Sequence, residues 1–209
     1  MRLSVCHKSM RTKNIFQAIS PKKLRSVISC ILIVFAGIAL AVLAQDNPIA
    51  AIQKLYAQTS ETIRLALQAE KEGAGAGLYS TEVFVNSHHA PWRAVGNYSK
   101  RIIFWYTDQP EFARYENKAE DAVLVKIEVK ETAAVRTQYS EFLFDQGQLV
   151  FYFTQEKAGD QPAEERRYYF KAGQLRRSMV GSNVVNEKPD TTVIFRQAES
   201  YKKLFLSTF

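Results

Sequence analysis

The sequence predicts an α+β fold: one helix, a six- to seven-strand antiparallel meander forming a curved sheet, and a C-terminal helix, all behind a separate N-terminal leader. Three observations predict it. Apolar residues recur at steps of three and four between Ile49 and Leu67, and again between Ile194 and Thr208. Between residues 78 and 180 the period is two, in short runs too closely spaced for crossover helices. Residues 1–44, finally, differ in kind from everything after them.

That first stretch holds seven of the chain's 28 basic residues (Arg2, Lys8, Arg11, Lys13, Lys22, Lys23 and Arg25) and no acid, so residues 45–209 carry 21 basic against 21 acidic side chains. The excess charge of the chain is therefore all in its leader. A basic stretch, the apolar run Val27–Ala44 and the polar QDNP have the layout of an export signal, with Val42 and Ala44 as the small residues before a cleavage site. The alternative is an uncleaved membrane anchor, since the run approaches the roughly 20 residues that span a bilayer as a helix. Either reading leaves the basic flank in the cytoplasm and exports residues 45–209, to the periplasm or the extracellular space. Met10 offers a second start, and the acid-free composition also fits a mitochondrial presequence. VISC at 27–30 is not a lipoprotein box, because the apolar segment follows Cys30 instead of ending at it.

Both cysteines, Cys6 and Cys30, belong to the leader. Disulfides, thiol catalysis and cysteine-bound metals are thereby excluded for residues 45–209, which must hold together by packing as a single domain.

Within that domain, Asn47-Pro48 reads as a helix cap followed by proline at the first helical position, and the stripe from Ile49 to Leu67 extends a helix through 45–72 to the glycine-rich EGAGAG. Strands follow at 80–86, 98–107, 122–131, 136–144, 148–154, 165–171 and 174–180, the antiparallel sheet occupying 78–180. In AVLVKIEVKE, Val123, Val125, Ile127 and Val129 face one way, and Lys126, Glu128 and Lys130 face the other, which reads as the wet side. After NEKPD, Asp190 caps a helix over 190–209.

FLFDQGQL at 142–149 and YYFKAGQL at 168–175 repeat one hairpin. With glycine as the third loop residue, the turns would pair Phe144 with Gln148 and Phe170 with Gln174. Leu143 then faces Leu149 and Phe142 faces Val150, so the first ribbon is apolar on both sides and belongs in the middle of the sheet. In the second, Tyr169 faces Leu175 and Arg167 faces Arg177, with Arg166 and Arg176 beside Tyr168. This ribbon belongs at an edge, where charge discourages further strand pairing.

Candidate sites follow from these patterns. Directly opposed arginines ask for an anion between them, supplied by Glu164, Glu165 or a ligand, with Tyr168 as a stacking platform. The candidate binding residues are Arg166, Arg167, Tyr168, Arg176 and Arg177, together with Phe104 and Tyr106 on an aromatic sheet face. Both helices can lie on one face, leaving the other to the sheet's own curl, a second chain or an apolar ligand. His88-His89 point apart in an extended segment and read as a surface loop. No G-x-S-x-G, HExxH or phosphate loop is present, and the paired acids read as solvated charge. Asn97-Tyr98-Ser99 fits a glycosylation site in a eukaryotic source.

The resulting expectation is an exported, non-enzymatic binding protein without metal or cofactor, its partner an unidentified ligand or envelope protein. Nucleic acid does not suit a charge-neutral exported domain, and membrane contact is expected only through an uncleaved leader. The alternatives are a small outer-membrane β-barrel, suggested by the aromatic terminus at Tyr201, Phe205 and Phe209, and a hydrolase or metal enzyme using His88 or His89.

Overall fold

The computed structural model of the chain describes residues 47–74, 77–186 and 189–209; the leader reading of residues 1–44 lies outside the described residues. Helix α1 (Pro48–Lys71) begins as its sequence dictates: Asn47 Oδ1 accepts the N–H groups of Ile49 and Ala50 at 3.1 and 3.4 Å. Pro48 occupies the first turn, where it has no N–H to leave unpaired. Helix α3 (Thr191–Leu206) starts the same way, with Asp190 accepting from the N–H of Thr192 at 3.0 Å.

Between them run nine strands: β1 (Tyr79–Val85), β2 (Pro91–Trp92), β3 (Gly96–Tyr106), β4 (Leu124–Ala133), β5 (Arg136–Asp145), β6 (Gln148–Ala158), β7 (Glu164–Lys171), β8 (Gln174–Val180) and β9 (Asn183–Val185). Their order in the sheet is β1-β3-β4-β5-β6-β7-β8-β9, every neighbour antiparallel, with β2 pairing β3 off this path. The predicted meander is therefore present, lengthened by the two short strands β2 and β9. The β3–β4 connection folds into helix α2 (Pro110–Tyr115) and a 3₁₀ turn (Glu120–Val123), neither of which the periodicity announces. The sheet is open, with β1 and β9 at its edges. An open sheet does not fit the barrel alternative, which requires closure.

The two long helices lie on opposite faces, which corrects the expectation of both on one side, and α2 adds Ala113 to the core under α3. α3 lays Ile194, Ala198 and Phe205 on the largest part of the core, built around Phe104, Ile127, Phe142, Tyr152 and Phe170. α1 covers the opposite face in two patches. Ile49 and Ile52 pack on Leu143, Phe151 and Tyr169, while Ile63 and Ala66 pack on Leu78 and Trp105. The central β5–β6 ribbon is covered on both sides, as its sequence asks.

Hairpin register differs from the expectation by a specific cause. Both repeats use two-residue loops, Gln146-Gly147 and Ala172-Gly173, whose four φ angles are 50, 75, 50 and 72°. Two consecutive left-handed residues make the turn whose twist matches the flanking strands. Asp145 then pairs Gln148 and Phe144 pairs Leu149, but Leu143 pairs Phe151, so Val150 is bulged out. The second hairpin repeats this: Lys171 with Gln174, Phe170 with Leu175, Tyr169 with Arg177, and Arg176 is the extra residue. The repeat is thus a turn plus a bulge.

Candidate functional site

The shifted register dissolves the opposed arginine pair. Arg167 lies opposite Met179, and Arg177 opposite Tyr169. Arg166 turns to Glu164, which holds its guanidinium above its ordinary pKa through their hydrogen bond. Arg176, the bulged residue, is exposed, and Arg177 is half-buried. Tyr168 is buried in the α3-side core, stacked on Tyr152 at 5.8 Å. Phe104 and Tyr106 are also in that core, sealed against Phe205 at 5.6 and 5.3 Å. The seven candidate residues therefore occupy both faces of the sheet.

Arg167 reaches a cavity. Its Nη1 donates to Gly181 O at 2.7 Å, its Nη2 to Glu165 Oε2 at 2.6 Å, and its guanidinium carbon lies 5.3 Å from the centre of the Phe153 ring. Two hydrogen bonds and a ring face fix an otherwise flexible side chain. With Gln53 and Tyr56 of α1, and Phe151, Phe153 and Tyr169 of the sheet, it lines a pocket of about 220 Å³. The rings are set edge to face, Tyr56 to Phe151 at 5.1 Å, or tilted, Phe151 to Tyr169 at 5.0 Å. A larger hollow of about 380 Å³ beside α2 is lined by Asp108, Glu116, Asp145 and Lys118 among others, and its lysine is held by Glu116 at 2.7 Å.

Behind the aromatic pocket is a polar cluster that includes Lys126 and Glu128, which the alternation along β4 assigned to the wet side. Lys126 is only 4% exposed and Glu141 only 6%. Glu128 and Glu141 are cross-strand partners, a repulsive arrangement unless a cation intervenes. Lys126 supplies it, with Nζ 3.0 Å from Glu128 Oε1 and 2.9 Å from Glu141 Oε1. Tyr139 donates to the same Glu141 oxygen at 2.6 Å, and Tyr56 reaches down from α1 to Oε2 at 2.7 Å. Burial, and then the hydrogen bond to the Glu141 carboxylate, pushes both tyrosine hydroxyls well above their usual pKa. Both oxygens of Glu141 are thus engaged, which suits a clamp holding α1 to the sheet better than an acid or base awaiting a substrate. A signal for this cluster was present: counting back from the β4–β5 turn sets Glu128 against Glu141.

His88 and His89 sit on an exposed loop between β1 and β2. Asn86, at φ 53°, organises that loop by donating to Ala90 O and Tyr98 O at 2.7 and 2.6 Å. Among the described residues no group of three or more histidine, cysteine or acidic side chains is placed to hold a metal ion. A scan against protein-family models, and searches of the curated proteins and of the solved structures, find nothing that matches this chain.

Proposed function

We propose that the protein is an exported, non-enzymatic binding protein that takes a small, flat or apolar group into the pocket between α1 and the sheet. The observation that carries this reading is the convergence of Tyr56, Phe151, Phe153 and Tyr169 with a fixed guanidinium, that of Arg167, around one cavity. Of the residues the sequence singled out, the pocket includes Arg167; its rings are others than Phe104 and Tyr106, which lie in the core on the opposite face. Rings supply contact area at little entropic cost, and the arginine supplies polarity at one end.

Size limits the ligand. About 220 Å³ is below the roughly 300–1,000 Å³ that receives drug-sized molecules, so the pocket accommodates one ring or a short acyl segment. Export rests on the composition of residues 1–44. The saturated Glu141 supports binding over catalysis.

Gln53 lines the pocket from the exposed side of α1, so Gln53→Trp fills the cavity without removing any core side chain. The expected result is that benzoate, a one-ring anion, shifts the amides around Tyr56, Phe151 and Tyr169 in an NMR titration, and that the affinity of this probe falls by about tenfold or more in Gln53→Trp, with the circular dichroism spectrum unchanged. Equal probe affinity in a folded Gln53→Trp variant would overturn the reading.

A further inference from the structure

The like-charge pair expected in the second hairpin does exist in this fold, but elsewhere. Arg101 of β3 and Lys130 of β4 are cross-strand partners, and the next partners on the same face are Ser99 and Thr132. Two cations and two hydroxyls therefore form the corners of one square on the α1 side of the sheet. Like charges so placed repel. Glu82 relieves Arg101 by accepting from Nε at 3.1 Å and from Nη2, which leaves Nη1 without a partner among the described residues. Lys130 is exposed and makes no ion pair among the described residues.

The square is the floor of a hollow of about 310 Å³ that no α1 residue lines. Ser87 and His89 reach it from the loop that Asn86 organises. At its side lies Phe84, 56% exposed, across the strand from Arg101 with the guanidinium carbon 5.7 Å from its ring centre. Convergent cations, hydroxyls and a histidine suit an anion with several oxygens, and an exposed ring beside them suits the face of a sugar.

We infer that this hollow is a second ligand site, independent of the aromatic pocket, which binds a phosphate or sulfate ester of a sugar. The oxyanion sits between Arg101 and Lys130 with Ser99 and Thr132 as hydroxyl donors, and the sugar ring lies over Phe84. Arg101 is already half-committed to Glu82, so Lys130 supplies most of the uncompensated attraction.

The test is an NMR titration of the full chain with glucose 6-phosphate, inorganic phosphate and glucose, repeated in Lys130→Gln and in the charge-matched control Lys171→Gln at the far end of β7. Amide shifts centred on Ser99, Arg101, Lys130 and Thr132 are expected, with the ester binding more tightly than phosphate and glucose not binding. Lys130→Gln should weaken the ester by about tenfold, the loss of one charge-assisted hydrogen bond, and Lys171→Gln should leave it unchanged. The inference is overturned if glucose binds as well as its ester, if the shifts fall outside the square, or if the two lysine variants behave alike. Thr132→Val, which keeps shape and charge, separates a lost site from a lost fold: it should weaken phosphate and ester alike, and unaltered binding of both would also count against the site.

Discussion

The two faces of the sheet are covered by helices of similar design and yet are held in different ways. Under α3 the aromatic contact is continuous, with Phe104, Phe142, Phe170 and Phe205 each at most 1% exposed, and its buried charge is Lys202. Under α1 the apolar contact is broken into two patches, and the buried Lys126–Glu141 cluster is on the same face. That face also holds Trp105 Nε1, a buried donor with no partner among the described residues, an omission that typically costs about 1–3 kcal/mol. The difference teaches where stability and function separate. A face packed around large rings leaves little room for a ligand, about 50 Å³ beside Tyr201, whereas the face held by a few directional bonds leaves hollows of about 220 and 310 Å³.

The largest effect should come from breaking the apolar side. Phe205 is 0% exposed and touches Phe104, Tyr106 and Phe209, so Phe205→Ala removes an aromatic ring from a site with little freedom to collapse. A loss of about 4 kcal/mol is expected in urea denaturation, without a change in probe binding at the α1 pocket. If the variant unfolds no more easily than wild type, the continuous core under α3 is not the principal source of stability.

A smaller and more specific effect is expected on the other side. Tyr56→Phe deletes one hydroxyl and leaves Glu141 Oε2 without its donor, for a cost of about 2 kcal/mol. This variant also carries a pH signature. Tyr56 and Tyr139 hold their protons more tightly folded than unfolded, so their contribution is fully present below the ordinary tyrosine pKa of 10.0 and is lost as pH rises above it. Tyr201 and Lys202 on the other face act in the same sense, since both are raised. Burial raises Tyr201; for Lys202 burial alone would lower the pKa, and Asp121 and Glu199 reverse it. Above neutral pH the urea midpoint should therefore stay flat to about pH 10 and fall beyond it, with a shallower fall in Tyr56→Phe. An identical alkaline slope in the two proteins would remove Tyr56 from the clamp.

The faces also mark what could be read from sequence. Periodicity gave both helices, their caps at Asn47 and Asp190, and seven of the nine strands, because each depends on neighbours a few residues apart. Val150 and Leu149, apolar on opposite sides, correctly required cover on both faces of the central ribbon. An amphipathic helix shows only that one side wants burial, and which face receives it depends on the connection, which carries no such pattern. The arginine site failed for a different reason: the two-residue loop and the bulged Arg176 each move the register by one place, so the partner of Arg167 shifts from Arg177 to Met179. Lys126 and Glu128 alternate with valines as a solvated edge would, and only the arrival of α1 makes their side of the strand an interior.

The two copies of the repeated hairpin allow the finest comparison, because their turns share a backbone and differ in surroundings. Gly147 and Gly173 have φ of 75 and 72°, so alanine at either meets the same left-handed penalty of about 1 kcal/mol. A Cβ on Gly173 would meet nothing within 4 Å, whereas one on Gly147 would lie 3.0 Å from Asp121 Oδ1. Asp121 cannot step aside freely, since it holds Lys202 at 2.6 Å, and the same lysine donates to Gly147 O at 3.1 Å. Gly147→Ala should therefore cost about 1 kcal/mol more than Gly173→Ala, and combining each with Asp121→Ala should erase that difference. Equal costs in the native background would mean that Asp121 yields, and that the lysine clamp under α3 is looser than its counterpart at Glu141.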